Sequence, residues 1–178
     1  YQDTLVMNRT ASARTTESPV SEIVVSIPEQ KLELFKTDRL LQNYSISTAK
    51  NGPGEEFGSE CTPRGRHVTR AKIGAGCEIG TVFVGRRPTG EIWTPRLALA
   101  EPDRDWILTR ILWLSGLETR FNRLGSVDTM RRFIYIHGTP HEDQIGRPES
   151  HGCIRMHSSD LVELYDHVVA GTIVTIND

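Results

Sequence analysis

From Glu22 onward, apolar and polar residues alternate in short runs, "EIVVSI", "KLELF" and "LQNYSIS", separated by "PEQ" and "KTDR". A period of two marks a strand with one face on a core, and spacers this short join antiparallel neighbours. The pattern predicts a meander in which Leu32 and Leu34 face inward while Lys31 and Glu33 face water. Strand-like runs recur at "RHVTRAKI", "GTVFVG" and "EIWTPRLAL". "WILTRILWL" fits both strand and helix templates, and a buried strand is the preferred reading. "RFIYIHG" is β-branched and aromatic, which predicts a strand ending at His137. One clear helical period lies near the end, where Leu161, Leu164, Tyr165, Val168 and Val169 share a face. Ser158 or Ser159 is placed to cap its start, Asp160 suits the first turn, and Gly171 is placed to stop it. "TIVTI" supplies a closing strand, "VDTMRR" reads as a short helical turn, and "AKNGPGEEFGSECTPRG" is loop because Gly and Pro interrupt any regular element. The sum is a mostly β chain with one helix in its C-terminal half.

Residues 1–21 are rich in Ser, Thr and Arg without apolar periodicity, so they read as a flexible N-terminal tail or tether, and residues 22–178 as one domain. Composition agrees, since 37% hydrophobic and 25% charged residues suffice for a sizeable core. A net charge of −2 gives no basic footprint for nucleic acid or an anionic membrane. No apolar run approaches the roughly 20 residues of a membrane-spanning helix, and the opening residues lack the architecture of a signal peptide. A monomer is expected.

The candidate chemistry lies in "SHGCIRM", Ser150 to Met156. Cys153 becomes a strong nucleophile if a base takes its proton, and His137, at a strand end before the loop "GTPHEDQIGRPES", meets it if the loop folds back. His151 lines the same site. Gly152 permits close approach of a substrate, and the amides of Gly152 and Cys153 are candidates for holding an oxyanion. Arg155, two residues beyond the cysteine, shares its face in an extended segment and is placed to fix a carboxylate or peptide oxygen. Two other readings stand beside this one. Cys153 can be a small buried hydrophobe, or His137, His141, His151, Cys153 and His157, with Glu142 and Asp143, can assemble tetrahedral zinc. Gly and Pro within "HGTPHED" argue against the helix that a histidine pair four apart would need. Cys61 and Cys77 are either thiols or a disulfide, according to compartment.

"IYIHGTPHEDQIGRPESHGCIRM" closely resembles the signature of the L,D-transpeptidase (YkuD-type) catalytic domain. Weaker similarity extends to "IVVSIPEQKLELF", "STAK", "TPRG" and "SSDLVELYDHVVAGTIVTI", with the stretch 71–127 matching loosely. The resemblance implies a mostly β, sandwich-like domain with long active-site loops. It implies Cys153 as nucleophile and His137 as base, oriented by the backbone carbonyl of Gly138. It implies His151 as a further catalytic-site residue, and Ser150, Gly152 and Arg155 as donor-site residues. The implied reaction is acyl transfer on peptidoglycan stem peptides at the L-centre of the third residue, releasing D-Ala, without a cofactor or metal. The acceptor is a second stem peptide, another amine, or water, the last giving an L,D-carboxypeptidase. Inactivation by carbapenem-type β-lactams and a periplasmic location after loss of a leader complete these expectations.

Overall fold

The computed structural model describes residues 22–178, so the expected tail over 1–21 lies outside the described residues. The meander is present. Strands β1 (Glu22–Ser26), β2 (Lys31–Lys36) and β3 (Arg39–Ser47) pair antiparallel in sequence order. Leu32 and Leu34 are fully buried, and Lys31 and Glu33, on the opposite face, pair at 2.7 Å.

The remaining strands are β4 (Gly65–Ile73), β5 (Thr81–Val84), β6 (Arg87–Ile92), β7 (Ile107–Gly116), β8 (Tyr135–Gly138), β9 (Ile154–Met156) and β10 (Ile173–Asn177). They form one ten-stranded sheet in the order β4-β10-β1-β2-β3-β9-β8-β7-β5-β6. A further pairing of β4 with β7 joins the ends of the first eight strands and closes the sheet into a barrel-like sandwich, with the β5–β6 hairpin attached outside the ring. The closed ring removes most free strand edges. "WILTRILWL" is indeed a strand, and its continuous apolar character follows from burial on both faces over Leu108–Leu112.

Helix α2 (Ser158–His167) buries Leu161, Leu164 and Tyr165 against β7 and β8, within a core that also holds Ile23, Leu112, Ile136 and Met156. Two details of this helix differ from expectation. Neither serine supplies the cap: Ser158 lies within the helix, and its backbone N–H donates to Glu142 Oε1 at 2.8 Å. The helix also ends at His167, leaving Val168 buried just beyond it and Gly171, at φ +97°, in the following turn.

"EIWTPRLAL" requires correction. Its strand ends at Ile92, and α1 (Pro95–Ala100) follows, making a second helix. Thr94 caps it by accepting the Leu97 N–H at 3.1 Å, and Pro95 takes the first helical position, where its missing N–H has no intrahelical acceptor to lose. "VDTMRR" starts in a 3-10 turn at Gly125–Val127 and makes a single helical turn, in which the Arg132 N–H donates to the Asp128 carbonyl at 3.0 Å.

Candidate active site

Strands β8 and β9 lie side by side and parallel, with His137 opposite Arg155 and Gly138 opposite Met156. This pairing folds the intervening loop back and brings the end of β8 beside Cys153, the residue preceding β9. His137, Ser150, His151, Cys153 and Arg155 line one small cavity of about 50 Å3. Asp105, from the segment between α1 and β7, completes its wall.

His137 is almost fully buried, and its Nδ1 lies 2.7 Å from the carbonyl oxygen of Gly138. A carbonyl only accepts, so Nδ1 carries the proton and Nε2 of the neutral ring keeps its lone pair. The backbone around this pair is specialised. Strand β7 bulges between Leu108 and Ile111, opposite the step from Gly138 to His137. Thr109, in the bulge, sits at φ +76°, a strained position for a β-branched residue, and its hydroxyl is 2.6 Å from that of Ser158. A Cβ at Gly138 would come within 2.7 Å of the Leu108 carbonyl oxygen, which accounts for glycine there.

Cys153 Sγ is held from behind by the Tyr135 N–H at 3.3 Å and faces the Phe133 carbonyl at 3.4 Å. The turn before it is locked from within. Ser150 donates its hydroxyl to the Cys153 carbonyl at 2.5 Å and accepts from the Gly152 N–H at 3.3 Å. Ser150 and Gly152 therefore shape the turn rather than offer free groups to a substrate. Of the two amides expected to hold an oxyanion, only that of Cys153 lacks an acceptor among the described residues. Gly152 adopts φ +127° against the Cys61 carbonyl, a conformation that excludes a side chain.

The Gly- and Pro-rich loop after β3 buttresses this turn. Ala49 bridges to Ser150, and Thr62 Oγ1 accepts the Ala49 N–H and donates to the Gly152 carbonyl, both at 2.9 Å. Arg132 clamps the loop by donating to the carbonyls of Gly54, Glu55 and Cys61. Sequence reasoning missed Asp105, which sits in no patterned stretch, and Arg132, which reads only as the end of "VDTMRR" and the start of "RFIYIHG". The expected loop over "AKNGPGEEFGSECTPRG" was the one available signal for the buttress.

Burial dominates the electrostatics. It holds the His137 imidazole below the usual histidine range, although the Gly138 carbonyl and Asp105 favour its cation and Arg155 opposes it. The Cys153 thiol is partly open to the cavity but closed in by surrounding atoms, which push its pKa up to about 12, while the Tyr135 N–H, Arg155 and Arg132 oppose that rise. The resting pair is thus neutral thiol and neutral imidazole. Arg155 is nearly buried and, among the described residues, its side chain donates only to the Glu149 carbonyl at 3.4 Å, so its charge is available to the cavity.

Two wider grooves flank the cavity and share His151. One, of about 470 Å3, runs past Asp105, Trp106, His141 and Arg155. The other, of about 230 Å3, is walled by Phe57, Glu60, Phe133 and Ile134. The residues weighed as zinc ligands do not converge: among the described residues no three of His, Cys, Asp or Glu approach as a metal-binding group, and His157 pairs with Glu142 at 3.4 Å. Cys61, Cys77 and Cys153 are all free thiols.

The family description that matches this chain is YkuD, L,D-transpeptidase catalytic domain, over residues 21–176. The chain is 51% identical over 154 residues to the protein named L,D-transpeptidase YkuD in Bacillus licheniformis, covering 86% of this chain and 64% of that one. A Bacillus subtilis protein of the same name is 55% identical over 42 residues, which cover 24% of this chain and 26% of the relative. The fold is similar to that of an L,D-transpeptidase from Mycobacterium smegmatis, with TM-score 0.54, 19% identity and coverage of 88% of this chain and 58% of that one. An L,D-transpeptidase in complex with imipenem matches with TM-score 0.53, 18% identity and coverage of 88% and 58%.

Proposed function

We propose that this chain, which belongs to the YkuD family of L,D-transpeptidase catalytic domains, transfers an acyl group between peptidoglycan stem peptides through a thioester on Cys153. The observation that carries this reading is the convergence of Cys153, His137 and Arg155 on one cavity, with an open groove on each side. A nucleophile between two grooves suits a reaction with a donor and an acceptor.

As Cys153 Sγ attacks the carbonyl at the L-centre of the third stem residue, its proton passes to Nε2 of His137. Because thiol and imidazole both favour their neutral forms, proton transfer accompanies attack rather than preceding it. The Cys153 N–H stabilises the oxyanion, and Arg155 holds a carboxylate or peptide oxygen of the donor. Collapse breaks the bond to the terminal D-alanine, whose amine leaves with the proton from His137. An acceptor amine then gives its proton to His137 and attacks the thioester, forming a 3→3 cross-link and releasing the Cys153 thiol. Water in the acceptor groove would give tripeptide instead, the L,D-carboxypeptidase outcome. A peptidoglycan donor would be met outside the cytoplasmic membrane, and a periplasmic location is part of this proposal.

Incubation with disaccharide tetrapeptide, followed by mass spectrometry, tests this proposal. Loss of D-alanine with dimer formation is expected, and neither should occur with Cys153→Ala. Tripeptide monomer alone would assign carboxypeptidase activity, and unchanged tetrapeptide would remove this donor from the proposal. The same thiol is expected to open carbapenem-type β-lactams. One imipenem per chain should add to the intact mass of the wild type, and an adduct on Cys153→Ala would assign the nucleophile elsewhere.

A further inference from the structure

Another wide groove lies away from the cysteine, beside the β4–β7 pairing that closes the ring. It encloses about 480 Å3, and three arginines, Arg70, Arg123 and Arg131, stand around it. None of the three has a carboxylate partner among the described residues. Arg70 is braced 5.4 Å above the ring of Trp113, a face-on contact that holds a guanidinium without neutralising it. The one carboxylate in the lining, Asp128, has both oxygens committed to backbone, accepting from Leu124 N at 2.7 Å and Arg131 N at 2.9 Å.

A second observation is independent of charge. Val68 and Ser115 are paired across β4 and β7 and both line the groove, on the face that carries Arg70 and Trp113. The Ser115 hydroxyl is buried with no hydrogen-bond partner among the described residues. The fold supplies no acceptor for this hydroxyl, and Ser115 lines the groove, so an oxyanion seated there is the acceptor we assign to it.

We infer that this groove is a second binding site, for a ligand carrying two or more oxyanions, phosphate or carboxylate. Guanidinium forks match either group, and three around one groove exceed what a single monoanion can engage. Arg131 also lines the 230 Å3 groove that reaches His151, so a polymer held here runs on along the surface to the reaction cavity. This inference goes beyond acyl transfer and does not depend on it, because the site is read out by binding rather than by turnover.

Isothermal titration of the whole protein with sodium tripolyphosphate and, separately, with a hexaglutamate peptide tests the site and distinguishes phosphate from carboxylate. Binding of at least one probe is expected, weakening as salt is raised. Arg70→Gln/Arg123→Gln, both exposed, should weaken it by at least about tenfold with the protein still folded by thermal unfolding. Ser115→Ala should weaken it about five- to tenfold with no change in charge. Arg155→Gln should leave it intact. The inference is overturned if neither probe binds, if Ser115→Ala or the double variant binds as the wild type does, or if Arg155→Gln abolishes binding and so moves it to the catalytic cavity.

Discussion

At the scale of single residues, the site rests on two neutral groups that must exchange a proton. Burial holds the His137 imidazole below its ordinary value of 6.5, so it stays a competent base at pH values where a solvated histidine is protonated. The acid limb of kcat/KM is therefore expected below pH 6.5, with no alkaline limb from the thiol until it titrates at about 12. A profile measured on a tetrapeptide donor whose acid limb falls at or above 6.5 would contradict a buried neutral base. Cys153, His137 and Arg155 were legible in the sequence because a cysteine, a strand-end histidine and an arginine two residues along are recognisable by residue type and spacing. Asp105 was not legible. It enters the cavity from an irregular segment that no periodicity marks, and only the three-dimensional arrangement gives it a neighbour.

At the scale of elements, side chains that tie one unit to another decide how firmly the frame is held. Lys72 on β4 donates to the carbonyls of Tyr165 at 2.6 Å and Val168 at 2.5 Å and lies 4.1 Å from the Tyr165 ring centre, so it closes the C-terminal end of α2. Lys72→Met keeps the stem and removes both bonds. It should destabilise by about 2 kcal/mol, read by thermal unfolding as a fall of roughly 4–8 °C, with the imipenem adduct on Cys153 still forming. An unchanged midpoint would show that water replaces the ammonium without loss. Elements with strong periodicity, the meander and α2, could be read ahead of the structure. The helix at Pro95 could not be read from periodicity, since six residues are too few to display it, although Thr94-Pro95 carries the cap signal that was passed over.

For the whole molecule, acid is the expected weakness. His67 is fully buried, with Nδ1 3.0 Å from the Gly65 carbonyl and Nε2 3.1 Å from Thr129 Oγ1, and burial lowers its pKa to about 4. Between pH 6.5 and about 4 the unfolded chain takes a proton that the folded chain refuses. Stability is therefore complete above 6.5 and declines as pH falls through this window, by an amount on the order of 3 kcal/mol for this residue. His137 acts in the same direction. Urea unfolding at pH 7 and pH 5 should show a lower midpoint at pH 5, and His67→Gln should flatten the difference; an equal drop in the variant would transfer the effect to other groups.

The position of β10 reaches beyond equilibrium stability. This last strand lies between β1 and β4, pairing with residues 22–26 on one side and 65–68 on the other. Until residues 173–177 leave the ribosome, that gap in the ring stays open and two strands present unpaired edges. A nascent chain of this kind cannot complete its native closure until β10 is available, so folding of the ring waits on this C-terminal strand.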